Sequence, residues 1–192
     1  MAEHDEAARI VLGQTPQVRL WGPIDEQLFG RMREQVDAAD GEGPLVIELM
    51  TMGGDADIGR RMAMEVQLLR TRLGRRLVFL GATAVYSAGI TVMAAFPRQD
   101  RYLTADAVLL IHRRRMDKTL PLCGSLAVCE QMTREMLSQI RLGQALEREG
   151  FEALIEESDV SRDEVEERAA ANWYIPAREA LERGLIAGIV GD

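Results

Sequence analysis

Short, continuous apolar runs alternate along the chain with longer stretches in which apolar residues recur every three or four positions. LVIELM (45–50) and the run 76–80 are of the first kind, the pattern of strands buried on both faces of a parallel sheet. Residues 26–39, with Leu28, Met32 and Val36, and 57–73, with Met62, Val66 and Leu69, are of the second kind and predict amphipathic helices. A short strand is expected at 17–21, Pro23-Ile24-Asp25 leads into the first helix, and Gly41-Glu42-Gly43-Pro44 breaks the chain after it. Strand and helix in this alternation predict an α/β fold with a parallel sheet, built from right-handed βαβ units.

Past residue 112 the pattern changes. An irregular piece with Pro121 and Gly124 precedes a long helical stretch, 126–150, with Met132, Met136, Ile140 and Leu146 among its apolar members. A helix of that length is expected to project from so small a domain, and its apolar stripe then needs a partner, which predicts a homo-oligomer. Ser161 has the form of a helix cap, a helix is expected over 177–182, and Leu185 to Val190 reads as a strand-like end. One domain, 17–192, is expected behind a flexible polar tail, 1–16.

Composition narrows the function classes. The formal charge is −8 over 192 residues, which argues against a nucleic-acid partner, since such binding rests on clustered Lys and Arg that displace counterions. No apolar run approaches the ~20 residues of a membrane span, and MAEHDEAARI lacks the basic and apolar regions of a secretory signal, so a cytoplasmic protein without membrane contact is expected. Cys123 and Cys129 have no histidine neighbours; they suit neither a disulfide framework nor a metal site and are expected to pack among helices. No phosphate-binding glycine motif is present, and no cofactor is expected. One basic cluster, Arg113-Arg114-Arg115, stands out. It reads either as a solvated face or as recognition of an acidic substrate or a neighbouring subunit.

The chemistry concentrates in residues 77–112. An apolar strand, Leu77 to Leu80, a small-residue turn, Gly81 to Tyr86, and a helix starting at Ser87 would hold a hydroxyl at the head of a helix, where free N–H groups favour developing negative charge. The run AVLLIH then carries His112 toward the same rim. Only one other histidine exists, His4 in the tail, so an imidazole base has to be His112. The alternative is that Ser87 caps a helix and His112 ends a strand. Gly53-Gly54 closes a buried strand, where α/β sheets place their ligands, and the N–H groups of Gly54 and Ala88 are a candidate oxyanion hole; an ordinary strand-to-helix turn is the other reading.

Together, WGPID (21–25), MGGD (52–55), the Ser87 helix entry, LLIH (109–112) and AREALERGLI (177–186) resemble the proteolytic subunit of the Clp protease, a serine peptidase of the ClpP/crotonase fold. The resemblance implies that Ser87 is the nucleophile, His112 the general base, and Gly54 and Ala88 the oxyanion donors, acting on peptides or unfolded chains within an oligomeric ring. There are departures. Ala84-Val85-Tyr86 is bulkier than the family's small residues and is expected to narrow the site. The family's third catalytic residue, an aspartate, falls on Asn172, and the arginine after it on Trp173. The first seventeen residues offer little counterpart to the hairpin and helix that face the ATPase partner, so ATPase coupling is not carried over.

Two other functions share these features. One is a weakened or inactive subunit of the same fold, for which Asn172 speaks; the other is a crotonase-type acyl-CoA enzyme, which uses backbone N–H groups on a thioester enolate. A Ser-Lys dyad would need Lys118, the sole lysine, which lies in a polar loop.

Overall fold

The computed structural model describes residues 15–41 and 43–191; most of the expected tail, His4 included, lies outside them. The described elements are β1 (Val18–Trp21), α1 (Glu26–Asp37), β2 (Leu45–Thr51), α2 (Ala56–Leu73), β3 (Leu77–Tyr86), α3 (Ala88–Ala94), a single 3₁₀ turn at Arg98–Asp100, β4 (Arg101–Thr104), β5 (Val108–Ile111), α4 (Leu126–Ile155), α5 (Arg162–Ala170), β6 (Trp173–Pro176), α6 (Ala177–Glu182) and β7 (Gly188–Val190). The α/β fold with a long helix is as expected. The predicted inward residues of α1 and α2 are all buried.

Strands β1, β2, β3, β4 and β7 lie side by side in that order, all parallel. The expected turn at 81–86 is instead the second half of β3. Phe79 to Gly81 pair with β4, whereas Ala84 to Tyr86 pair with β5, so the sheet divides midway along this strand. Thr83, in left-handed backbone (φ 53), marks the change. Gly81, the first of the small residues that suggested a turn, answers a packing need: a Cβ there would lie 2.5 Å from the Leu103 side chain and 2.8 Å from that of Val85. Strand β6 adds antiparallel to β5, pairing Ile111 with Trp173, and is the one exception to the parallel rule.

The main core lies between this sheet and α1, α2 and α3, with Leu28, Met62, Phe79 and Met93 among its fully buried members. A smaller cluster, Val46, Val78, Leu80 and Tyr102, occupies the opposite face. Helix α4 joins the core only at its C-terminal end, through Phe151 and Leu154. Before that end, Leu126, Leu137, Ile140 and Leu142 are exposed. Cys123 does not pack among helices as expected: it is exposed in the segment before α4, and Cys129 is half-buried on the first turns of that helix.

The short strand β4 carries a residue the pattern did not reveal as core. Arg101 is 2% exposed, and its guanidinium donates to the carbonyls of Ala94 and Phe96 at the end of α3 and of Ala153 and Leu154 near the end of α4, at 2.8–3.1 Å. A cation among the carbonyl ends of two helices also complements their dipoles. Burial pulls its pKa down to about 10, which leaves it charged at neutral pH. Arg101→Met would keep the bulk, lose these bonds and leave buried carbonyls unsatisfied, for a loss of roughly 4 kcal/mol. Thermal unfolding should show Tm lowered by about 10 °C; an unchanged Tm would refute the clamp.

Candidate active site

The carboxyl ends of β2, β3 and β5 converge on a cleft of about 380 Å³. Gly54, Ser87, Ala88 and His112 all line it, joined by Ile90, Phe151 and Leu146 as its apolar wall. Four of the five sequence-predicted site residues are therefore brought together. Asn172 is not among the lining residues.

Ser87 sits at the joint between β3 and α3 with φ 56 and ψ −116, a backbone region that costs a non-glycine residue of order 1–3 kcal/mol and persists only where its surroundings enforce it. Those surroundings are visible. The Ser87 N–H donates to the Leu110 carbonyl at 2.9 Å, tying the joint to β5, and Gly53 packs beneath it. A Cβ on Gly53 would lie 2.8 Å from the Ser87 Cβ. The hydroxyl makes no capping bond to α3. Helix capping, the alternative reading of Ser87, is thus not what its side chain does.

Gly53 and Gly54 are held from the other side by β1's extension. Ile24 of the WGPID segment donates to the Gly53 carbonyl at 2.9 Å and accepts from the Asp55 N–H at 2.8 Å. These two bonds leave the Gly54 N–H outside the pairing. Thr51, fully buried, fixes the turn further through its hydroxyl, which accepts from the Gly53 N–H at 3.1 Å. Ala88, as the first residue of α3, has an N–H with no intrahelical acceptor, and it packs on α2 where Gly59 allows an approach that a Cβ would close to 3.1 Å. Gly54 and Ala88, neither with its N–H in the helical or strand bonding described, thus both line the cleft that also holds Ser87. A Cβ on Gly54 would fall 2.3 Å from the Ile24 carbonyl oxygen, at φ 153. Gly54→Ala should therefore cost about 2 kcal/mol or more and displace the turn; a variant with wild-type denaturant midpoint would contradict the packing described.

Asp55 accepts from the N–H groups of Ile58 and Asp57 as the cap of α2, and these two bonds hold its carboxyl below the usual carboxylate range. The other cleft carboxylate, Glu147 of α4, accepts from the Arg114 N–H. The Arg114 guanidinium reaches Asp57 at 2.9 Å. These contacts fold the segment after His112 over the head of α2 and against α4. Glu147 lies 33 positions from its partner, and no sequence signal pointed to it.

His112, half-buried, follows the last residue of β5. Its Nδ1 lies 2.7 Å from the carbonyl oxygen of Arg113. A carbonyl only accepts, so in this contact Nδ1 carries the proton and Nε2 keeps the free lone pair. Among the described residues, no hydrogen bond joins Ser87 Oγ to His112 or Asn172 to His112. The expected narrowing by Ala84-Val85-Tyr86 does not occur: none of the three lines the cleft, Val85 is in the core, and Tyr86 stacks edge-on against Tyr174 at 5.9 Å. Lys118 is exposed and donates to Gln139, away from Ser87.

No protein-family model matches the chain. A curated protein, the ATP-dependent Clp protease proteolytic subunit 2 of Treponema pallidum, is 26% identical over 97% of this chain and 90% of its own length. Among solved structures, an asparagine-to-aspartate mutant of ClpP1 from Listeria monocytogenes superposes with a TM-score of 0.72 over 96% of both chains, at 16% identity. The chain has a ClpP-like fold.

In this ClpP-like fold, Asn172 directly precedes Trp173 and His112 directly follows Ile111, the end pair of the antiparallel β5–β6 ladder, so both lie at the same end of that ladder. It has left-handed backbone (φ 61) and its N–H donates to the Ala169 carbonyl at 3.4 Å, which turns the chain from α5 into β6. Asparagine is among the few non-glycine residues that adopt this conformation readily. Trp173, where the resemblance places an arginine, is buried with the Arg168 guanidinium stacked over it at 4.9 Å.

Proposed function

We propose that the protein is a serine peptidase of the ClpP type, hydrolysing peptides or unfolded chains slowly as a single subunit type within an oligomeric ring. The observation that carries this reading is the cleft shared by Ser87, His112 and the two oxyanion candidates, Gly54 and Ala88. Ser87 Oγ attacks the scissile carbonyl while His112 Nε2 takes its proton; the N–H groups of Gly54 and Ala88 bind the oxyanion; and the imidazolium returns the proton to the leaving amine. Water then resolves the acyl-serine by the same route. The crotonase-type alternative needs an acidic base beside the oxyanion donors. Both cleft carboxylates are already engaged, Asp55 by the α2 N-terminus and Glu147 by the Arg114 N–H.

Reaction with a fluorophosphonate probe, mapped by mass spectrometry, tests this. Labelling is expected at Ser87 and should disappear in His112→Ala. An unlabelled wild-type protein overturns the reading in favour of a structural subunit.

Assembly rests on α4. Leu126, Leu137, Ile140 and Leu142 are exposed, an apolar surface unusual for a monomer. Sedimentation at micromolar concentration should give a multimer, and a stable monomer would refute this part of the proposal. No helix among the described residues is long and apolar enough to cross a membrane.

A further inference from the structure

The cleft carries more positive charge than its neutral chemistry needs. Arg60, Arg114 and Arg115 line it together with Asp55 and Glu147, in a chain whose formal charge is −8. Three of these five charges are already spent within the fold. Asp55 caps α2, Glu147 accepts from a backbone N–H, and Arg114 pairs with Asp57. Arg60 and Arg115 remain, and among the described residues neither has a carboxylate partner.

Their placement is set by the same contacts. Asp57 and Arg60 are three positions apart on α2 and so share a face. Because Arg114 reaches Asp57, the extended segment that bears Arg115 runs close to that face. Both guanidiniums thus border the cleft that holds Ser87, with the apolar wall of Ile90, Leu146 and Phe151 beside them. With no carboxylate partner among the described residues, the two guanidiniums present planar donor forks suited to a carboxylate.

We propose that Arg60 and Arg115 form an acidic-residue subsite, so that the preferred substrate carries an aspartate or glutamate side chain within a few residues of the bond that Ser87 attacks. The proposal rests on the peptidase reading for where the peptide lies, but not for its recognition of charge. The net negative charge of the protein makes the effect local: acidic peptides are disfavoured at a distance and favoured at this one place.

The test is a set of internally quenched peptides in which Glu, Gln or Lys occupies each position in turn, assayed for kcat/KM with wild type, the Arg60→Gln/Arg115→Gln protein and the charge-reversed Arg60→Glu/Arg115→Glu protein. Binding of the same peptides to Ser87→Ala, with and without the arginine substitutions, is followed in parallel by fluorescence anisotropy. At one position Glu should be favoured over Gln about tenfold, equivalent to about 1.4 kcal/mol. The preference should shrink as NaCl is raised from about 0.05 to about 0.5 M, fall to about one in the Gln variant, and give way to a preference for Lys in the reversed one. Cleavage with no preference at any position, or a preference that survives in the Gln variant, overturns the subsite and leaves the peptidase standing. Charge-dependent binding without cleavage overturns the peptidase and leaves the subsite. Neither cleavage nor preferential binding overturns both.

Discussion

Ser87→Ala is expected to hydrolyse no peptide while folding and assembling as wild type does. The rate should fall by about 10⁴-fold or more, since a nucleophile that is removed takes with it the covalent step, and what remains is substrate held near donors without an attacking group. The fold should survive for a reason visible in the structure. The Ser87 hydroxyl makes no capping bond, so its removal forfeits less than the roughly 1 kcal/mol of an ordinary helix cap. The strained backbone at φ 56 is enforced by the Leu110 carbonyl and by Gly53, neither of which depends on the hydroxyl. His112→Ala should fall nearly as far, and the double variant no further, because nucleophile and base act as one unit. Steady-state kcat/KM on an unstructured fluorogenic peptide, read beside thermal unfolding and sedimentation, checks each of these. A Ser87→Ala protein retaining about a tenth of the wild-type rate would show that another group does the chemistry.

Much of the site was legible because its parts are scarce. With two histidines in the chain and one in the tail, the base had a single candidate, and a hydroxyl at a strand-to-helix joint is a local feature that a linear pattern displays. The two glycines were legible as a turn, but not as the seam they form: that Gly54 has no room for a Cβ is decided by Ile24, thirty positions earlier. Long-range matters of this kind escaped generally. Arg101 reads as a charged residue opening a short strand, and only the meeting of two helix ends, one of them more than fifty positions away, makes it a core residue. Residues 81–86 read as a turn because they are mostly small, whereas the missing side chain at Gly81 answers Leu103 packing across the divided sheet. The extended segment after His112 showed its three arginines at once; what distinguishes Arg115 from Arg114 is a contact with Asp57 that no spacing rule contains.

The consequence most particular to this chain concerns Asn172. In a serine triad the third residue orients the imidazole and offsets the positive charge it acquires; replacing that aspartate by asparagine in trypsin costs roughly 10⁴ in kcat. Here orientation is already supplied, since the Arg113 carbonyl lies 2.7 Å from His112 Nδ1 and holds the tautomer in which Nε2 is free. Negative charge is what is lacking. Asn172→Asp would put a carboxylate at the same end of the β5–β6 ladder as His112, and the backbone should tolerate it, because aspartate, like asparagine, accepts the left-handed conformation found there (φ 61). The substituted protein is expected to hydrolyse peptides faster by about an order of magnitude or more. Asn172→Ala separates this from a purely structural role: it should lose stability, because alanine adopts left-handed backbone less readily, without gaining rate. Equal kcat/KM in wild type, Asn172→Asp and Asn172→Ala would show that Asn172 turns the chain into β6 and takes no part in the chemistry.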